Sequence, residues 1–297
     1  MRVVMENIEQ GSGEEAWRRR LRWALAVTFL VSLLIFMSLG YSVLSGAAES
    51  RKASALNIAS SHAQRVSHRL QEAMSPAYIL ASLVQQERGR LADFETSAAE
   101  LLALFPMVSS VQIAPNGVIE KVFPLPGNEV VVGSDLLRSP DRRLDAHQAI
   151  ARRQLALGGP YSLIQGGVGV VGRNPVFLPD QNGWSKFWGF TIVVVRIPQL
   201  LDAANLPELA RDGYRFELCK VMEEGKECEV FARRGEGTPV DPVVVEIEVP
   251  NGLWNLRLAP EGGWYPLTGV LFLVFGSLTL ALIVTVAQYQ LLHRFSR

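Results

Sequence analysis

Two charged residues stand beside short apolar runs in this chain of 297 residues, Asp135 before Leu136-Leu137 and Arg173 after Val170-Val171-Gly172. A charge carried into an apolar strand needs a counter-charge, a hydrogen-bond partner or a ligand. Tyr161, Leu163 and Gln165 alternate along one run, and Pro175 and Phe177 along another, so each set shares one face of a strand. Placed under the segment 124–138, with Phe190 beside them, these faces combine aromatic surface with a few polar anchors, the make-up of a small-molecule pocket. Core packing is the competing explanation for the apolar members, and a solvated loop position for Asp135.

Other chemistries lack their residues. His62 and His68 are six apart on different faces of a helix, His147 stands alone and His293 is near the end, so no metal ligand set forms. The string Gly167-Val168-Gly169-Val170-Val171-Gly172 matches a dinucleotide fingerprint, which requires a following helix N-terminus and an acid about 20 residues on. Here Arg173-Asn174-Pro175 follows and Ile192 occupies the distant position, so no cofactor is expected and the glycines read as a turn or bulge. No serine lies in a G-x-S-x-G elbow and no H-E-x-x-H string occurs, although an exported hydrolase stays open as a class. Basic and acidic residues balance at 29 each, leaving no global positive field for nucleic acid.

The elements that position these residues begin with two apolar runs. Hydrophobic residues make up 48% of the chain and mean hydropathy is +0.17, too apolar for a disordered chain. Residues 23–44 contain no Asp, Glu, Lys or Arg and span ~33 Å as a helix, enough to cross a bilayer. A second uncharged run covers 264–292 and opens on Trp264-Tyr265-Pro266, aromatic residues suited to a membrane interface. Arg18, Arg19, Arg20 and Arg22 precede the first run, and Arg294 and Arg297 follow the second, so both termini are expected in the cytoplasm. Small residues at 45–47 leave a cleaved signal peptide as the alternative for the first run.

Residues 49–261, with 22 basic and 25 acidic side chains, then lie on the far side of the membrane from the cytoplasm. Cys219 and Cys228 both fall there, where an oxidising compartment permits a disulfide, free thiols being the alternative. Leu56, Ala59, Ala63, Val66, Leu70, Ala73, Ala77, Leu80 and Val84 recur at spacings of three and four, which predicts a stalk helix over 49–86, with Pro76 a candidate kink. This seam packs either on the chain's own globular domain or against a second copy, as a homodimer through the stalk.

Short β runs follow at 108–114 and 118–123 around the turn Pro115-Asn116-Gly117. Ser139-Pro140-Asp141 predicts the start of a helix reaching Leu157 and stopping at Gly158-Gly159-Pro160. Runs at 161–165, 169–177 and 187–196 complete an antiparallel sheet with helices to one side, an α+β arrangement of the PAS type. A short helix from Ile197 to near Asn205 leads to a smaller β unit beginning at Gly213. There the turn Asn251-Gly252 predicts a hairpin whose paired positions sum to 503, placing Val249 opposite Trp254, Ile247 opposite Leu256, Val245 opposite Leu258 and Glu246 opposite Arg257.

The runs Gly158-Gly159-Pro160-Tyr161-Ser162-Leu163, Gly172-Arg173-Asn174-Pro175-Val176-Phe177 and Phe187-Trp188-Gly189-Phe190, with Val193-Val194-Val195, resemble the CHASE domain, as does Gly133-Ser134-Asp135-Leu136-Leu137 with Arg142 and Ala149 following. The resemblance is strong over 105–201 and extends more weakly to Glu261. It implies a sensor module between two membrane spans, as found on bacterial diguanylate cyclases, phosphodiesterases and histidine kinases and on plant cytokinin receptors. It further implies a stalk carrying two PAS-like units, a membrane-distal one over 100–203 that binds a small molecule and a membrane-proximal one over 213–261. Such domains usually precede a cytoplasmic signalling enzyme, yet only residues 293–297 follow here, with no GGDEF or EAL string, kinase histidine box or ATP-lid motif. The expectation is therefore a sensor without its own catalytic domain, between a cytoplasmic segment 1–22 and the tail 293–297, its output acting in trans or lost with a truncated C-terminus. The alternative is an envelope structural or assembly protein whose exported domain binds another protein.

Overall fold

The computed structural model describes residues 2–140, 142–222 and 228–295, with side chains from Trp17 to Arg294. The chain divides into two compact units, residues 1–54 with Gly262–Arg297, and Ala55–Glu261. Helix α1 (Arg2–Gln86) contributes to both and runs through Pro76 without a break. The seam legible in the sequence faces inward: Ala59, Val66, Ala77, Leu80 and Val84 are fully buried and Ala63, Leu70 and Ala73 nearly so, while Leu56 is exposed. Of the two packing options for that stripe, it is the protomer's own domain that covers it.

Beyond α1, the second unit continues with α2 (Phe94–Leu104), β1 (Ser110–Pro115), β2 (Lys121–Phe123), α3 (Arg143–Arg152), β3 (Ala156–Ser162), β4 (Val168–Pro179) and β5 (Ser185–Arg196). The five strands form one antiparallel sheet in the order β2-β1-β5-β4-β3. Asn116 (φ 52°) and Gly117 (φ 84°) both adopt the left-handed conformation that a tight hairpin turn between β1 and β2 requires. Both faces of the sheet are covered, so β5 reads as a continuous buried run from Gly189 to Val195. On one face Thr191 Oγ1 donates to the Ala77 carbonyl of α1 at 2.7 Å, and Gly172 lies where any β-carbon would stand 2.3 Å from Met74 Sδ. On the other, α3 and the segment 124–138 close over Val171, Phe190, Ile192 and Val194.

The expected helix to Leu157 is shorter than the sequence indicates. It ends at Arg152, with Arg153 in the left-handed conformation (φ 54°), and Gly158-Gly159-Pro160 lies inside β3 as an irregularity of register between Gly158 and Tyr161. The glycines accommodate a β-bulge there and do not stop a helix. The expected cap Ser139-Pro140-Asp141 falls partly on Asp141, outside the described residues; Ser139 contributes its carbonyl, which accepts from Arg142 and Arg143.

Helices α4 (Ile197–Ala203) and α5 (Leu206–Arg211) lead to β6 (Tyr214–Val221), β7 (Cys228–Arg234), β8 (Val243–Val249) and β9 (Gly252–Pro260), a second antiparallel sheet in the order β7-β6-β9-β8. Cys219 and Cys228 form a disulfide across β6 and β7. The β8–β9 register differs from expectation by two residues: Val249 pairs with Gly252, Ile247 with Trp254, Val245 with Leu256 and Val243 with Leu258, while Glu246 faces Asn255 and Arg257 faces Val244. The two central turn positions are Pro250 and Asn251 (φ 63°), not Asn251 and Gly252, because Pro suits the first and a left-handed Asn the second position of a type II turn. A shift of two preserves the strand faces, so Ile247, Trp254, Leu256 and Leu258 still reach the core.

In the first unit, α6 (Leu267–Phe295) is the second of two helices containing a stretch long and apolar enough to cross a membrane, the other lying within Trp17–Gln86. Gly40 permits close approach, since a β-carbon there would stand 2.3 Å from Leu273 Cδ1.

Candidate ligand-binding site

Arg173 occupies the middle of β4, in register with Ile192 of β5 and Ala156 of β3, and its side chain enters the face covered by α3. It is 1% exposed. Its Nη2 donates to the Tyr161 hydroxyl, and its Nη1 lies 3.6 Å from Asp145 Oδ2 on α3, too far for a hydrogen bond. Nε and Nη1 have no hydrogen-bond partner, an uncommon state for buried donors. Burial pushes the Asp145 carboxyl above the usual carboxylate range, against the opposing pull of Arg173 and Lys220.

Gly158 makes this convergence possible. A β-carbon at that position would stand 2.3 Å from Arg173 Nη1, 2.6 Å from Asp145 Oδ2 and 2.8 Å from the Tyr161 hydroxyl. The guanidinium borders a cavity of about 30 Å³, room for one or two waters. Tyr161, Leu163, Gln165 and Arg173 line it, joined by Gln112 of β1 and by Val131 and Leu136 of the overlying segment. Arg142 completes the wall, its guanidinium 5.7 Å from the centre of the Tyr161 ring.

Asp135, Pro175, Phe177 and Phe190, also singled out in the sequence, lie outside the cavity lining. Asp135 turns back on its own backbone, its Oδ1 accepting from the N–H groups of Leu137 (2.9 Å) and Arg138 (3.1 Å). That turn, with the Gly133 N–H donating to Ile119, fastens the covering segment to the β1–β2 hairpin. Pro175 pairs with Phe190, and Phe190, Phe187 and Phe177 stack edge to face at 5.1 and 5.8 Å as core. Leu163 and Gln165 reach the cavity from the β3–β4 turn beyond the end of β3, not from the strand face they were expected to share with Tyr161, and the Leu163 N–H donates to the Gly167 carbonyl there. The sequence reading did not place Asp145, Gln112 or Gly158 at the site. Of these, only Gln112, a polar residue inside the apolar run Val111–Ala114, carried a local signal.

A larger groove of about 410 Å³ lies among α1, the segment after α2 and α4. Its Arg69 is already bound to Glu72 (2.8 Å) and to the Ala203 carbonyl, so it presents no buried unanswered group of the kind found at Arg173.

Comparison with solved structures finds the following similar domains. The extracellular domain of histidine kinase rpHK1S-Z16 superposes with a TM-score of 0.50 at 15% identity, covering 72% of this chain and 95% of that domain. An extracellular ligand binding receptor from Desulfohalobium retbaense gives 0.49 at 17% identity and 70% of this chain, which spans 40% of the receptor's length. The sensory domain of the Campylobacter jejuni chemoreceptor Tlp3 gives 0.48 at 11% identity, covering 73% of this chain and 96% of that domain. No curated protein matches. The model of the CHASE domain matches residues 57–229, more than half of the sequence and all of the sheet that carries Arg173, and the chain belongs to the CHASE domain family.

Proposed function

We propose that the chain is a two-pass inner-membrane receptor that binds a small molecule outside the cytoplasm and passes the event across the membrane. The observation that carries this reading is Arg173: a buried guanidinium with unanswered donors, at the edge of a cavity also lined by Tyr161, Leu163 and Gln165. Groups of that kind are costly unless a ligand answers them. Asp135 holds the covering segment, and Pro175, Phe177 and Phe190 form the packed wall behind the site. The strand order β2-β1-β5-β4-β3 supports a PAS-like first sheet, the membrane-distal unit of this reading, with the second sheet as the membrane-proximal one.

The apolar helices on either side of residues 57–229 and the arginines outside them support cytoplasmic termini and a periplasmic sensory domain. The chain acts as a sensory module. Its output is a diguanylate cyclase, phosphodiesterase or histidine kinase, acting in trans or attached in a longer form of the protein. A ligand shifts such a receptor only by its differential affinity for two states.

A homodimer through the stalk uses the face opposite the buried seam. Asn57, Ser61, Gln64, His68, Gln71, Tyr78 and Ser82 are exposed there at coiled-coil spacing, with no Asp, Glu, Lys or Arg among them.

The test is thermal unfolding of the full chain in lipid nanodiscs against a metabolite panel that includes adenine derivatives. A ligand at 100 times its dissociation constant adds ~2.7 kcal/mol. A panel without any shift, together with unchanged signalling by Tyr161→Ala, overturns the receptor. An impermeant amine label that spares the region 49–261 in intact spheroplasts overturns the topology.

A further inference from the structure

We infer that the ligand is a small organic monocarboxylate, its carboxylate held by the Arg173 guanidinium in competition with Asp145; this rests on the cavity at Arg173 being the receptor's ligand site. Donor geometry comes first. Nε and both protons of Nη1 are unanswered, and the Tyr161 hydroxyl, which accepts from Nη2, keeps its own proton for an anion. A carboxylate supplies the acceptors that these groups lack, in charge-assisted bonds stronger than neutral ones. A neutral ligand answers the donors less well, and a cation is repelled.

Charge favours an anion. Arg142 and Arg173 line the cavity and, among the described residues, no acid does, while Asp145 faces Arg173 at 3.6 Å and is itself drawn on by Lys220, so the lining keeps a positive excess. Size restricts the remainder of the molecule. The cavity of about 30 Å³, room for one or two waters, limits the ligand to a single carboxylate, and the apolar side chains of Leu163, Val171, Ile192 and Val194 must give way to admit a short aliphatic tail. Gly158 belongs to the same device, because the point where Arg173, Asp145 and Tyr161 meet is the one its missing side chain leaves open.

Asp145 supplies the coupling. At 3.6 Å it balances the guanidinium without hydrogen-bonding to it, so an arriving carboxylate takes over that role and frees the α3 residue. A neutral residue at 145 is compatible with the fold, since burial already disfavours the ionised form there.

The experiment follows thermal unfolding of the full chain in nanodiscs with sodium acetate, propionate and glycolate, against acetamide and propionamide in sodium chloride of equal ionic strength. Carboxylates are expected to raise the Tm saturably and the amides to leave it unchanged, with Arg173→Gln abolishing the shift. Asp145→Asn removes the competitor and is expected to lower the half-saturating concentration about tenfold, a gain that a misfolded variant cannot produce. Amides that stabilise as well as the acids, or an Asp145→Asn variant with unchanged half-saturation, overturn the inference. Saturable binding of an uncharged metabolite that needs Tyr161 but not Arg173 overturns the ligand class and leaves the receptor standing. No saturable ligand of any charge removes both.

Discussion

The side-chain oxygen of Asn251 accepts a hydrogen bond from the Leu157 N–H at 2.6 Å, joining the tip of the β8–β9 hairpin to an edge strand of the other sheet. Leu157 is buried, and β3 has β4 on one side only, so its outward N–H needs a partner that the five-stranded sheet does not supply. The same bond accounts for the turn. Asn251 is committed to the second sheet's contact with β3, and the hairpin closes around Pro250-Asn251 to present it.

Replacing Asn251 therefore separates two effects. Asn251→Gly keeps the left-handed backbone and leaves the Leu157 N–H unanswered, an expected loss of ~1–3 kcal/mol. Asn251→Ala adds a further ~1 kcal/mol of backbone cost. Urea titrations of both variants check the order; equal stability of Asn251→Gly and the parent protein refutes the role given to this bond.

Gly158→Ala is expected to disable the site. The added methyl meets Arg173 Nη1, Asp145 Oδ2 and the Tyr161 hydroxyl at once, and tightly packed surroundings typically turn such an insertion into ~1–3 kcal/mol of destabilisation. Gly127→Ala, where no atom lies within 4 Å, serves as the control for backbone strain alone. Ligand titration by thermal shift should fail for the first variant and survive in the second.

What was legible in the sequence followed periodicity and local turn chemistry. Runs without charge revealed the two apolar helices, spacings of three and four the stalk seam, and Asn116-Gly117 the first hairpin. Arg173 stood out as a charge within an apolar strand. Asp145 did not, because an acid in the first turn of a helix is ordinary, and only the packing of α3 on β3 and β4 brings it to the guanidinium. Gly158-Gly159-Pro160 misled for a related reason: the residues that end helices also form bulges, and the deciding partner, β4, is remote in sequence.

His62 predicts how stability depends on pH. Burial lowers its pKa below 6.5, outweighing the bond to the Ala204 carbonyl and the pull of Glu208 and Asp212, with Arg65 acting in the same direction as burial. The unfolded chain then binds a proton more readily than the folded one, so stability falls as pH drops from about 6.5 toward the folded-state value. Thermal unfolding between pH 7.5 and 5.5 (about one unit on either side) should show the loss, and His62→Gln should flatten that part of the curve. An identical slope in the variant shows that another group is responsible.

The stalk distinguishes intramolecular packing from pairing of copies. Met74 is buried against Gly172 within its own protomer, whereas Gln71, one turn earlier, is exposed on the face that carries Gln64, His68 and Tyr78. In a parallel pair of stalks, equivalent positions on the facing side approach one another across the axis. Gln71→Cys is therefore expected to form a disulfide-linked dimer in oxidised membranes, read by non-reducing electrophoresis, while Met74→Cys is not, because its thiol is covered by β4. Efficient cross-linking at both positions indicates that the seam opens in the membrane. Cross-linking at neither, with exposed Ser61→Cys and Ser82→Cys equally silent, places any contact between copies away from this face of the stalk.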